Sequence, residues 1–372
     1  MNKLSSACIC AVVLLILAGG AHAISVENVK KLDIPETYLW DVVLSPDGTR
    51  LAFVAYDEKR TQQIFVINAD GTGKKNLTDD ANKKWGLAWG KDKIAYVSFG
   101  KDGLEKIFVI NPDGTGNMQL ILDNTRQGNF EKYMVAWSAP SWSPDGRSLV
   151  YTSLDEKANP KMYRVEEDGT GKSLVHESEF RQWSPAFSPD GKNIVYVSYP
   201  LEKYKEEIFT VDISGTARKQ LTFDEMKKNY PVWGPEDTII FVSYESVMSS
   251  GEKLYAINQD GTSRRQFIDG DYKQRSPSFS RDGRKFAYAA IDVSGNVKIA
   301  VGDVTGITGT AAETPVPATP APAGKTPVGT PSVMETPVGG WMEGPLWSVF
   351  IVFAIAVILL LVWLLMKDHF KK

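Results

Sequence analysis

The sequence predicts an all-β fold, a six-bladed β-propeller of four-stranded blades closed by an N-terminal strand in the last blade, followed by one C-terminal transmembrane helix. Three observations predict it. One unit recurs six times: the position of Ser45 returns at Gly90, Ser143, Ser188, Gly234 and Ser280. Those intervals suit a blade of four strands. Inside each unit the apolar segments are short, alternate in polarity and are rich in Val, Ile, Tyr and Phe, as strands are. Near the end, residues 346–366 form an uninterrupted apolar run.

In chain order, residues 1–23 read as a secretory signal. Lys3 supplies a positive start, residues 11–18 an apolar stretch, and Ala21-His22-Ala23 the small-x-small pattern of a cleavage site. The mature chain is then expected to begin at Ile24. Both cysteines, Cys8 and Cys10, lie in that segment. Without them, disulfides, thiolate metal sites and cysteine nucleophiles are all excluded.

Residues 24–306 hold the repeats. The first contains Ser45-Pro46-Asp47-Gly48, the strand Leu51-Ala52-Phe53-Val54-Ala55-Tyr56, then Ile64-Phe65-Val66-Ile67-Asn68 and Asp70-Gly71-Thr72-Gly73. Pro46, Pro144 and Pro189 preset φ for a turn, and the glycine two residues later closes it. Asp-Gly pairs at 70–71, 113–114, 168–169 and 260–261 do the same between the third and fourth strands. Second strands such as Ile194-Val195-Tyr196-Val197-Ser198 are apolar on both faces, which suits burial between blades.

The sixth unit reaches its third strand at Ile299-Ala300-Val301 and then stops. The missing fourth strand is expected at the other end of the chain. Val29-Lys30-Lys31-Leu32-Asp33 resembles Lys74-Lys75-Asn76-Leu77-Thr78, so residues 26–33 are predicted to complete blade six and remove an open sheet edge.

Ser-Pro-Asp-Gly before an apolar strand, then Ile-Phe-Val-Ile-Asn-x-Asp-Gly-Thr-Gly and a Leu-Thr ending, resembles the repeat of TolB-type propellers. The resemblance covers residues 26–306, with departures at Gly90-Lys91-Asp92 and Gly234-Pro235-Glu236-Asp237 that leave those two hairpins open. It implies a propeller that binds protein at the cell envelope, without implying one partner. A counterpart of TolB's separate N-terminal domain is not expected, nor a hydrolase domain after the repeats.

Residues 307–345 are built from Thr-Pro, Ala-Pro and Gly and read as an extended stalk. Residues 346–366 are long enough to span a bilayer as a helix. Lys367, Lys371 and Lys372 place residues 367–372 in the cytoplasm and the propeller outside. The expected location is therefore a cell membrane, with a single pass.

Net charge is −3, without the basic stripe of a nucleic-acid binder, so no nucleic-acid partner is expected. Of the three histidines, His22 is in the signal and His369 in the tail. His176 follows Leu174-Val175 and is expected at an exposed edge. No catalytic residue, histidine metal site or cofactor is predicted. Asn76-Leu77-Thr78 is a glycosylation triplet on an outer strand.

The candidate ligand-binding ring stands five residues before each turn position: Trp40, Trp85, Ser138, Trp183, Asn229 and Arg275. Aromatics and arginine converging at one mouth of a channel would form a funnel for a protein or peptide, or for a glycan. Packing between blades is the competing use of the same residues. Lys84, Arg181 and Tyr272 lie on neighbouring connections, and residues 124–134 form the longest of them. The expected function is non-catalytic capture of a partner at that mouth; the alternative is an envelope glycan hydrolase or lyase using channel carboxylates.

Overall fold

The computed structural model describes residues 24–34, 39–121, 138–157, 159–199, 205–244 and 251–307. These residues form six four-stranded antiparallel sheets. The first blade runs outward from Trp40–Leu44 through Arg50–Tyr56 and Gln62–Asn68 to the two-residue strand Lys75–Asn76. The innermost strands of the other blades are Lys84–Trp89, Ser141–Trp142, Arg181–Phe187, Lys228–Trp233 and Lys273–Phe279. Each packs on its successor and the sixth packs on the first, which closes the ring. Leu51, Val54, Ile194, Val197 and Phe241 on second strands are wholly buried between sheets. Burial on both faces is what their unbroken apolar sequence requires.

The Ser-Pro-Asp-Gly turns are built from their own side chains. Ser45 Oγ donates to Asp47 Oδ1 (2.5 Å) and accepts from the Arg50 amide (2.9 Å), while Asp47 Oδ1 also accepts from the Thr49 amide (3.0 Å). Ser143, Ser188 and Ser280 repeat this with Asp145, Asp190 and Asp282. Burial raises the Asp47 carboxyl, but the hydrogen bonds from Ser45 and Thr49 outweigh it and hold the group below the ordinary range. The hairpins of blades two and five close as well, through Gly90 N to Lys93 O (2.8 Å) and Gly234 N to Thr238 O (2.7 Å). Their glycines make room for the next blade. A Cβ on Gly90 would lie 2.8 Å from the Trp142 ring, and one on Gly234 3.0 Å from Phe279.

The N-terminal strand Ser25–Leu32 pairs antiparallel with Val297–Thr305, with Ser25 opposite Thr305 and Leu32 opposite Ile299. A bulge between Glu27 and Lys30 shifts the register once. The closure read from the repeats is therefore present. The outermost strand of blade six comes from the start of the described chain and its three inner strands from the end.

Buried polar side chains at the start of innermost strands tie a blade to the blade before it and to the connection between them. Lys84 is wholly buried, donating to Asn82 O (2.8 Å), Asp80 Oδ1 (3.0 Å) and Gln62 O (3.2 Å). Lys228 occupies the same position in blade five and meets Met226 O (2.6 Å), Asp224 Oδ1 (2.8 Å) and Glu207 Oε2 (3.0 Å). In blade six Gln274 takes that place, accepting from Leu254 N (2.9 Å) and donating to Ile268 O (3.1 Å).

His176 corrects an expectation: it is buried, not exposed at an edge. Its Nε2 lies 2.7 Å from Gln182 Nε2 and its Nδ1 3.0 Å from the Glu177 carbonyl, with the ring against Tyr196 of the next blade. A neutral imidazole protonated on Nδ1 satisfies both contacts, and burial holds its pKa below the usual value. Thr78 also has a local task. Its hydroxyl donates to Gln63 Oε1 (2.7 Å) and accepts from Ile64 N (3.0 Å), so strand anchoring accounts for the threonine of the Asn76 triplet.

No helix among the described residues is long and apolar enough to cross a membrane. The predicted signal, most of the stalk, the span at 346–366 and the connection at 124–134 lie outside the described residues.

Candidate binding site

The six innermost strands enclose a central cavity of about 270 Å³, walled by residues 41–44, 87–90, 139–144, 184–189, 230–233 and 276–281. Their sequences share a device that shapes the wall. In five of the six blades the register with the second strand slips, between Trp40 and Val43, Trp85 and Ala88, Trp183 and Ala186, Asn229 and Val232, and Arg275 and Ser278. The residue at the slip has a left-handed backbone: Asp41 (φ 50°), Gly86 (63°), Ser184 (51°), Tyr230 (51°) and Ser276 (51°). Pro185, Pro231 and Pro277 follow directly. A proline has no amide to give to the ladder, so it fits where pairing is interrupted.

That slip decides which residues meet the cavity. None of Trp40, Trp85, Ser138, Trp183, Asn229 and Arg275 is in its wall; where a residue of that level lines it, it is the next one along. Trp85 and Trp183 are 4% and 3% exposed, set edge-on against Phe99 (5.5 Å) and Tyr199 (5.0 Å) within their own blades. Trp40 is half-buried against Tyr56 in the same way. Ser138 is buried, and its hydroxyl accepts from the Ser184 amide across the blade three to four seam (2.9 Å). Asn229 Oδ1 accepts from Trp183 Nε1 (3.1 Å), which brings two of the six together. Arg275 is exposed and ion-paired with Glu252, whose other oxygen accepts from Tyr244 (3.0 Å). Of the neighbouring residues, Lys84 is committed to its buried latch, Arg181 donates to Tyr199 (3.2 Å) and Tyr272 is exposed.

The cavity wall itself is mostly small and neutral, with serines, alanines and prolines between the aromatic rings of Trp89, Trp142, Phe187, Trp233 and Phe279. Asp41 is the one carboxylate among the described lining residues. Its Oδ2 accepts from the Gly86 amide of the next blade at 2.7 Å. Burial pushes its carboxyl up to about 6, opposed by that hydrogen bond. Tyr230 lines the same cavity; burial, then the Asp41 charge, push its hydroxyl well above the usual range, so it stays a neutral phenol. Arg281 belongs to the wall at the turn end of the strands, opposite the end that holds Asp41. Sequence reasoning missed Asp41 and Tyr230 by one position. The Pro that follows the slip residue in three blades was the available signal for Tyr230; Asp41 is followed by Val42 and carries none.

Comparison with known proteins agrees with the ring of blades. The sequence profile of the TolB beta propeller domain matches residues 123–311, half of the chain. The chain belongs to that family. TolB from Acinetobacter baumannii superposes with a TM-score of 0.54 at 19% identity, over 70% of this chain and 66% of that one. The chain thus spans just under two thirds of the Acinetobacter protein's length. A putative TolB from Agrobacterium tumefaciens gives 0.51 at 17% identity, covering 75% and 98%. XC5397 from Xanthomonas campestris, a gluconolactonase, gives 0.52 at 14% identity, covering 74% and 89%. At such identities the likeness is one of fold. A search of curated proteins finds no match.

Proposed function

We propose that this propeller is a non-catalytic binding module that captures a protein or peptide partner in the mouth of its central cavity. The observation that carries the reading is the wall: a concave, largely apolar surface converging from six strands, with small polar side chains set among aromatic rings. Sites of that composition bind by shape and burial and use the polar groups for orientation. Membership of a TolB propeller family is consistent with protein binding. The signal-like residues 1–23 and the apolar run at 346–366 support presentation on the outside of a membrane, on the stalk at 307–345.

A glycan hydrolase or lyase is the second reading, and Asp41 favours it, because a carboxyl near 6 suits general acid chemistry at neutral pH. Glycosidic cleavage by paired carboxylates would need a partner some 5–9.5 Å away. Among the described lining residues Asp41 stands alone in that role.

The test compares the full chain with Ala139→Trp, which fills the cavity from blade three. Capture of one surface protein by the native chain, lost in the variant at an unchanged melting temperature, supports the binding reading. Turnover of a polysaccharide panel that Asp41→Asn abolishes replaces it with the catalytic one.

A further inference from the structure

Two of the polar groups in the cavity wall, Asp41 and Tyr230, have atoms with no structural use. Asp41 Oδ2 is engaged by Gly86, but Oδ1 has no hydrogen-bond partner among the described residues. Tyr230, from blade five, lines the same cavity; its hydroxyl is near enough to feel the Asp41 charge and has no hydrogen-bond partner among them. Both sit on left-handed backbone, the conformation that Gly86 adopts at the equivalent place in blade two. A non-glycine residue there is strained, as Ser184 and Ser276 are at the equivalent places. A desolvated carboxylate on strained backbone weakens the fold twice. Such groups collect where a protein binds or reacts.

We propose that the cavity receives a cationic group of a peptide partner, a lysine or arginine side chain or a free amino terminus, which Asp41 Oδ1 accepts beside the Tyr230 hydroxyl. The inference rests on the binding reading above and names the chemistry of what is bound.

The charges around Asp41 support a cation from outside. Arg275 stands near the same end, but its guanidinium is held by Glu252, which also accepts from Tyr244. Arg281 is at the far end of the strands. Among the described residues Asp41 therefore has no counter-charge, and burial raises its carboxyl with only the Gly86 hydrogen bond opposing it. The polarity of the cavity, acid at one end and guanidinium at the other, also sets a direction for the partner. An anionic ligand would meet Asp41 unfavourably. Calcium takes six to eight oxygen ligands, usually with several carboxylates. One carboxylate, a phenol and serine hydroxyls suit a monovalent organic cation better. The aromatic rings of the wall can cover the apolar stem of such a side chain.

The experiment selects displayed random peptides on the full chain in detergent at pH 7.5 and measures the binders against native protein, Asp41→Asn and Ala139→Trp. Asparagine keeps an oxygen for the Gly86 amide. The expected binders carry a Lys, an Arg or a required free amino terminus. They lose at least about tenfold in affinity to Asp41→Asn, as expected for removing one side of a desolvated charge pair. Replacing the peptide's lysine by norleucine should cause the same loss, with little further loss in the variant. Affinity should also fall as pH drops from 7.5 to 5. Cation-free binders that Ala139→Trp abolishes and Asp41→Asn leaves within about twofold overturn this inference while the binding reading stands. Binders that require added calcium overturn it as well. If no selected peptide responds to Ala139→Trp, both fall together.

Discussion

Lys30 Nζ donates to the carbonyl of Asp70 at 2.7 Å, and Lys75 Nζ donates to the carbonyl of Asp113 at the same distance. The two contacts are equivalent. In each, a lysine of one blade's outermost strand reaches the Asp-Gly turn of the next blade. The leucine two residues on lies under that turn's glycine, Leu32 beneath Gly71 and Leu77 beneath Gly114. Both glycines have positive φ and pack against the preceding blade. The N-terminal strand thus does more than hydrogen-bond to blade six. It makes with the turn glycine of blade one the contact that Leu77, Leu120, Val175 and Leu221 make with the turn glycines of blades two to five.

Closure should therefore be energetic as well as topological. Leu32 is 2% exposed and belongs to the cluster shared by blades six and one. Leu32→Ala is expected to cost about 2–4 kcal/mol. For a propeller of this size that is a fall of roughly 5–15 °C in melting temperature. Lys30→Ala, exposed and with its one bond to a carbonyl, should cost under about 1 kcal/mol. Thermal melts of the two variants decide it; equal, small effects would mean the first strand is only an appendage.

Asp41 gives a pH-dependent prediction. Its folded carboxyl, at about 6, lies above the ordinary carboxylate value of 3.8. The fold thus favours the protonated form. That contribution is complete below pH about 4 and is lost as pH rises through 6. Two units correspond to at most about 3 kcal/mol. Asp41→Asn should melt several degrees higher than the native chain at pH 7.5, with the gap closing by pH 4. A variant that gains stability while losing its peptide would mark Asp41 as a residue kept for binding. Melting curves across that range check it, and a gap independent of pH would refute it.

Much of the fold was legible because the repeat is local. The serine, aspartate and glycine of four of the turns bond to one another within a few residues, so their spacing reveals the repeat without tertiary information. The closing strand was legible because Leu32 repeats Leu77. The site was less so. Trp40 and Asp41 differ by one position, and whether a strand residue faces the cavity or the blade depends on the bulge between them. Burial of Lys84, Lys228 and His176 was equally hidden. Each depends on carbonyls or amides supplied by a neighbouring connection, against the general tendency of lysine to remain in solvent.

His176 should titrate below its ordinary value. Burial favours the neutral ring, with the nearby Arg218 and Lys161 adding to the effect and the Glu177 contacts opposing it. The folded value is depressed. The stability it contributes is present above the unfolded value of 6.5 and lost as pH falls through the lower folded one. An NMR titration of the His176 ring should give a midpoint below 6.5, and His176→Gln should flatten the loss of stability on acidification. A midpoint at or above 6.5 would place the ring in water.

Lys228 and Glu207 test whether a buried ion pair holds the seam between blades four and five. Lys228 is wholly buried and Glu207 is 6% exposed, with Nζ 3.0 Å from Oε2. Burial drives the lysine pKa down while the Glu207 charge opposes it. Lys228→Met removes the cation and leaves Glu207 charged, with the Thr222 hydroxyl still donating to it. The expected loss is about 3–5 kcal/mol. Lys228→Met combined with Glu207→Gln removes both charges at once and should recover part of that loss, about 1–2 kcal/mol. Denaturant unfolding of the single and double variants measures the difference. If the double variant is no more stable than Lys228→Met, the lysine acts through its bonds to Met226 O, Asp224 Oδ1 and the Glu206 carbonyl (3.1 Å) rather than through the pair with Glu207.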